Sequence, residues 1–172
     1  HNLFIVTKTY TRSMCNEAYF AGLIDGEGCV RIKRTTYRMR NLKYGDCKNP
    51  QYMPMITIKM VTPEPLIKLK EMFGGTFYKE KRVQACPTSF KSNKILYVWG
   101  VSNQKAIILA KAVLPFSLVK RENLLNLIAL DDLKKTKGKR RNSNGDFHAQ
   151  PYTDEMVSEM ETLSCRSKEL NA

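Results

Sequence analysis

The chain has 172 residues, the size of one domain with room for a real core, and its 29 Lys and Arg against 16 Asp and Glu give a formal charge of +13. No acidic block offsets that charge, which points to a polyanionic partner, nucleic acid first and an anionic membrane surface second. No apolar run approaches the ~20 residues of a spanning helix and no signal peptide is visible, so a soluble, intracellular protein is expected, without a membrane partner. The five cysteines (Cys15, Cys29, Cys47, Cys86, Cys165) are odd in number and scattered without a C-x-x-C pair, and only two histidines stand beside them. Free thiols are therefore expected, not a disulfide framework or a zinc site.

Residues 1–15 are polar and basic around one apolar run, Leu3 to Val6, and read as an N-terminal arm ahead of a single domain over residues 16–172. A helix is expected from Cys15 or Asn16, a good N-cap, to Gly26 to Gly28. Ala18, Gly22 and Gly26 recur every four residues along it, forming a stripe poor in side chains that would let a second backbone approach closely. Glycine inside a helix costs roughly 0.5–1 kcal/mol relative to alanine, so two of them within one stripe need a structural return. Asp25 and Glu27 stand at the C-terminal end, where the helix dipole disfavours anions by several tenths of a kcal/mol. Acids placed there lead us to expect a cation beside them.

From Cys29 the period changes to two, with Val30 and Ile32 pointing one way and Arg31 and Lys33 the other, the pattern of a half-buried strand with a cationic face. Arg34 to Lys48 adds Arg38, Arg40, Lys43 and Lys48 around Gly45-Asp46 and Asn49-Pro50, an extended hairpin tip. A second strand follows over about Gln51 to Val61, with Ile56, Ile58 and Met60 on the buried side and Thr57 and Lys59 opposite. Pro63-Glu64-Pro65 starts a helix whose apolar face is Leu66, Leu69, Met72 and Phe73, and Gly74-Gly75 stops it. Strands are expected from Thr76 to about Gln84 and from Lys94 to Ser102, then a helix capped by Ser102 or Asn103 that runs to Val113 and breaks at Pro115. After Lys120 a long helix should bury Leu124, Leu125, Leu127, Ile128 and Leu130. Its end carries six cations in the eight residues Lys134 to Arg141, the start of a basic loop over about 134–151. A terminal helix is expected over about 152–170, capped by Thr153 or Asp154.

The stretch Phe20-Ala21-Gly22-Leu23-Ile24-Asp25-Gly26-Glu27-Gly28 resembles the signature of the LAGLIDADG homing endonucleases, with Phe20 for the first Leu, Gly26 for the second Ala and Glu27 for the second Asp. The order of elements is similar to that family's αββαββα unit, and Phe73-Gly74-Gly75, Trp99 and Leu114-Pro115-Phe116 through Lys120 fall where family members carry comparable residues. The resemblance covers about Asn16 to Asp132. It implies an α+β fold with a four-stranded antiparallel DNA-binding saddle, followed by C-terminal helices.

The resemblance also implies roles. Glu27 is the carboxylate matching the family's ligand of the catalytic divalent metal, with Gly26 beside it in the metal site, while Asp25 matches a position that is more often structural. Pro115 to Lys120 resembles the Pro-aromatic-Leu-x-x-Lys stretch, whose Lys reaches the active site and helps to position water or neutralise charge, so Glu27 and Lys120 are the catalytic candidates. Where the family often places Gln or Asn at the end of the second strand, this chain has Met60-Val61-Thr62, leaving the role to Thr62, to nearby Glu64 or to solvent. With one signature copy, a homodimer packed through Ala18, Gly22 and Gly26 is expected to bring two Glu27 side chains to its axis. Candidates for the DNA face are Arg31, Lys33, Arg38, Arg40, Thr57, Lys59, Tyr78, Arg82, Gln84 and Lys94, with Lys139, Arg140 and Arg141 of the basic block on phosphates.

The expected activity is hydrolysis of double-stranded DNA at a long pseudo-palindromic site, dependent on Mg²⁺ (Mn²⁺ or Ca²⁺ being other occupants), leaving short 3′ overhangs and starting the homing of a mobile intron or intein. The alternative on the same scaffold is a non-catalytic nucleic-acid binder, such as a maturase acting on intron RNA or a DNA-binding regulator.

Overall fold

The computed structural model describes residues 16–35, 50–80, 95–136, 139–141, 147–149 and 152–171. Helix α1 covers residues 16–27 and passes without a connecting residue into strand β1 (Gly28–Thr35). The junction depends on Gly28, because a Cβ there would stand 2.5 Å from the carbonyl oxygen of Ile24, one turn back in the helix. Strand β2 (Gln51–Met60) pairs antiparallel with β1, and α2 (Glu64–Phe73), β3 (Thr76–Lys79), β4 (Tyr97–Ser102) and α3 (Gln104–Val113) follow. The four strands form one antiparallel sheet in the order β1-β2-β4-β3, giving the expected α+β architecture.

Alternation decides which face of the sheet meets the helices. Val30 and Ile32 of β1, Ile56 and Ile58 of β2, and Trp99 and Val101 of β4 point into a core shared with Phe20, Ala21 and Ile24 of α1. Helices α2 and α3 cross the same face, adding Leu66, Leu69, Ile107 and Leu109. The turn after α2 is fixed by Gly74 and Gly75, at φ 71° and 91°, and Trp99 Nε1 donates to Gly74 O at 2.9 Å, so two landmarks far apart in the chain meet in space. Met60, expected on the buried side, is only half-buried at the strand's end.

Helix α4 (Arg121–Lys135) lies across β1 and β2, and α5 (Asp154–Glu169) packs on α4 and along the free edge of β1. Leu125, expected in the buried face of α4, is instead 39% exposed, and Asn123, Asn126 and Asp131 are buried in that helix. They are tolerated because each finds a partner: Asn126 Nδ2 donates to Leu163 O at 2.9 Å, Asn123 Nδ2 to Leu170 O at 3.4 Å, and Asp131 meets Gln104 and Lys135. Thr153 caps α5, its Oγ1 accepting from Met156 N. Within the stretch expected to be a basic loop, two short strands pair antiparallel, β5 (Lys139–Arg141) with β6 (Phe147–Ala149). Residues 1–15, 36–49 and 81–94, and with them Arg38, Arg40, Arg82, Gln84 and Lys94, lie outside the described residues.

Candidate functional site

The C-terminal end of α1 carries two carboxylates, and the fold treats them differently. Asp25 turns toward the segment that leads into α4: Ser117 Oγ donates to it at 2.5 Å, and the backbone N–H groups of Leu118, Lys120 and Val119 donate at 2.7, 2.9 and 3.2 Å. The acid at the C-terminal end of its own helix thus anchors the segment Ser117–Lys120 that leads into α4. Four donors from the protein itself therefore meet the Asp25 carboxylate, the position that the resemblance marks as more often structural. Burial pushes the Asp25 carboxyl up, but the bonds from Ser117, Leu118, Lys120 and Val119 together outweigh it and hold the group below the usual carboxylate range.

Glu27, two residues on, is exposed, and no hydrogen bond or ion pair occupies its carboxylate among the described residues. Lys120 is half-buried at the start of α4, its backbone held to Asp25 at 2.9 Å. The four bonds to Asp25 therefore bring the segment carrying the candidate lysine to the helix end that presents the candidate metal ligand. Ser117, buried to 1% exposure, is the residue that sequence reasoning missed. It stood in the quoted run, but nothing local marks a serine as the donor to an aspartate 92 positions away.

Beside this corner the sheet presents its second face. The register sets Arg31 beside Met55, Lys33 beside Met53, Cys29 beside Thr57, and Lys59 beside Val98, which in turn neighbours Tyr78. Arg31, Lys33, Lys59 and Tyr78 are exposed, whereas Thr57 is half-buried and Lys59 is held by Glu80 at 2.6 Å. Thr62 and Glu64, the candidates for the missing second-strand residue, are both exposed in the turn that opens α2. Of the expected dimer stripe, Ala18, Gly22 and Gly26 are all exposed, and a Cβ built on either glycine meets nothing within 4 Å beyond its chain neighbours and its own helix backbone.

The donor set bears on which cation would fit. No group of three His, Cys, Asp or Glu side chains converges among the described residues, which leaves Glu27, with Gly26 adjoining, as a hard oxygen donor without a cage. That suits a cation such as Mg²⁺, which takes one or two carboxylates and keeps several waters, and does not suit zinc. No helix among the described residues is long and apolar enough to cross a membrane.

No protein-family model matches the sequence, and no curated protein matches it either. Solved structures do match, and they are homing endonucleases. The chain aligns over 93% of its length with 84% of I-CvuI, solved in complex with its target in the presence of Ca, at a TM-score of 0.63 and 16% identity. It aligns over 90% of its length with 82% of the archaeal intron-encoded I-Vdi141I, solved with DNA, at a TM-score of 0.57 and 19% identity. For I-TnaI the shares are 90% and 92%, with a TM-score of 0.53 and 16% identity. The fold of this chain is that of the LAGLIDADG homing endonucleases.

Proposed function

We propose that the protein is a sequence-specific, divalent-metal-dependent DNA endonuclease that acts as a homodimer and cuts both strands of a long, roughly palindromic site. The observation that carries this reading is the corner itself: an exposed Glu27 at the α1–β1 junction, with the Lys120 segment pinned to the same helix end through Asp25, next to a sheet face bearing Arg31 and Lys33.

Glu27, with Gly26 beside it, is the group that would hold Mg²⁺. When bound, the ion supplies Lewis acidity toward a phosphate oxygen and lowers the pKa of water at the site. Lys120 places an ammonium where negative charge grows on the phosphate, and its segment has little freedom to drift because Asp25 holds its backbone N–H. One carboxylate per chain serves one strand. Two copies packed across the open Ala18-Gly22-Gly26 stripe bring two Glu27 side chains together, and their spacing across the minor groove leaves short 3′ overhangs. The sheet face lies in the major groove, where Arg31, Lys33 and Tyr78 reach base edges or phosphates. Such an activity would start the homing of an intron or intein.

The test is incubation with a randomised duplex library in Mg²⁺ and in EDTA, with cut ends and retained duplexes sequenced separately. Symmetric cut sites that require Mg²⁺ are expected. Retained duplexes with no cutting in Mg²⁺ would overturn the nuclease and leave the binder, whose next ligand to try is intron RNA.

Dimerisation has its own test in Gly22→Leu. Gly22 is exposed and a Cβ added there meets no neighbouring group, and removal of a helical glycine favours α1 by up to ~1 kcal/mol, so thermal stability should hold or rise. Light scattering should nevertheless shift from dimer to monomer, because a leucine on the stripe keeps the helix axes apart. An unchanged dimer would place the interface elsewhere.

A further inference from the structure

Helix α5 does more along the edge of β1 than cover apolar surface. Ser167 Oγ accepts from the Ile32 N–H at 2.9 Å, and Asn171 Nδ2 donates to Val30 O at 2.8 Å, so two side chains take up backbone groups that the sheet leaves open on that edge. Beside these contacts a groove of about 360 Å³ runs between the strand and the last turn of the helix, lined by seven residues that include Arg31, Ile32, Lys33 and Lys168. Three of the seven are cations, and no carboxylate is paired with them among the described residues.

That separates them from the other cations of the neighbourhood. Arg34 is spent on Glu161 at 2.9 Å, Lys59 on Glu80 at 2.6 Å and Arg166 on Glu122 at 2.8 Å. The helix end itself works against an anion through its dipole, but the Ser167 carbonyl is taken by Asn171 Nδ2 at 2.6 Å, and three whole charges exceed the partial charge of the terminus. Arg31 and Lys33 stand two residues apart on one face of β1, and Lys168 supplies a cation from the facing wall.

We propose that this groove seats a backbone phosphate of duplex DNA, with Lys168 as its contact from α5, so that the C-terminal helix is part of the nucleic-acid surface. The inference rests on the DNA-binding reading above and extends it from the sheet to a C-terminal helix. Because such a contact is to phosphate and not to a base, it adds affinity without sequence preference. Through Ser167 and Asn171 it also ties DNA contact to the strand that carries Arg31 and Lys33.

The experiment measures binding of the full chain, in EDTA, to a mixed-sequence duplex across a salt series. Lys168→Gln is compared with the parent and with Lys68→Gln, which removes an exposed charge from α2. The parent and Lys68→Gln should bind alike. Lys168→Gln should bind more weakly at low salt, with a log–log salt slope shallower by about 0.9, so that its deficit shrinks about 3.5-fold between 50 and 200 mM salt. Lys168→Glu should bind more weakly still. A parent that binds the duplex while Lys168→Gln and Lys168→Glu keep its affinity and slope would overturn the phosphate seat alone. A parent that does not bind duplex at all would overturn the DNA-binding reading and the seat with it.

Discussion

Glu27→Gln is expected to lower strand cleavage by about 10³-fold or more while leaving folding and duplex binding intact. The expectation is sharp because the carboxylate has nothing structural to lose: it is exposed, without a hydrogen bond or ion pair among the described residues. Its removal even relieves an anion at a helix C-terminus, worth a few tenths of a kcal/mol, so the melting temperature should stay level or rise slightly. Cleavage of the selected target in Mg²⁺, read beside a melting curve and an affinity in EDTA, checks all three. Residual cleavage within tenfold of the parent would remove Glu27 from the chemistry.

The second large effect is on the neighbouring acid and has the opposite character. Asp25→Ala deletes the acceptor for one hydroxyl and three backbone N–H groups in the segment just before α4, and should cost about 2–3 kcal/mol of stability. Cleavage should fall with it even at temperatures where the variant is folded, because Lys120 loses the bond that fixes its backbone. The pH dependence separates this role from simple destabilisation. Asp25 titrates lower in the folded chain than in the unfolded one, so its contribution is complete above the unfolded value of about 3.9 and is lost as pH falls through the folded value. Asp131, pushed up by burial but held down more strongly by Lys135 and Gln104, loses its contribution in the same acid window. Asp25→Asn should therefore flatten part of the acid limb of a stability–pH curve and leave the Asp131 part. An acid limb identical to the parent's would show that the Asp25 bonds contribute no net stability.

The fold was legible in the sequence where one signal served one purpose. Period-two alternation over Val30 to Lys33 and Ile56 to Lys59, the Gly74-Gly75 stop and the Thr153 cap are local, and each appears where the pattern placed it. Reading failed where a residue answers to a distant partner. Leu125 looked like core because helical spacing cannot reveal that Asn123 and Asn126 hold the buried positions through carbonyls of α5 and its end. The dipole argument treated the two acids at the end of α1 alike, and the four donors that separate Asp25 from Glu27 come from a segment far along the chain, which no local pattern reveals. Ser117 and the pair Ser167 and Asn171 were silent for a related reason: their partners lie 92 or more residues away.

The uninterrupted passage from α1 into β1 gives the proposed nuclease a fixed ruler. Glu27 is the last residue of the helix and Gly28 the first of the strand, and the close approach of Gly28 to Ile24 leaves no slack at the joint. The distance from the cutting group to Arg31 and Lys33 is then set by the rise of a strand and nothing else. Redesign of other side chains on the sheet's outer face can change which site is chosen without moving the bond that is cut. An insertion at the joint would instead shift the cut relative to the sequence read, a change of frame and not of preference.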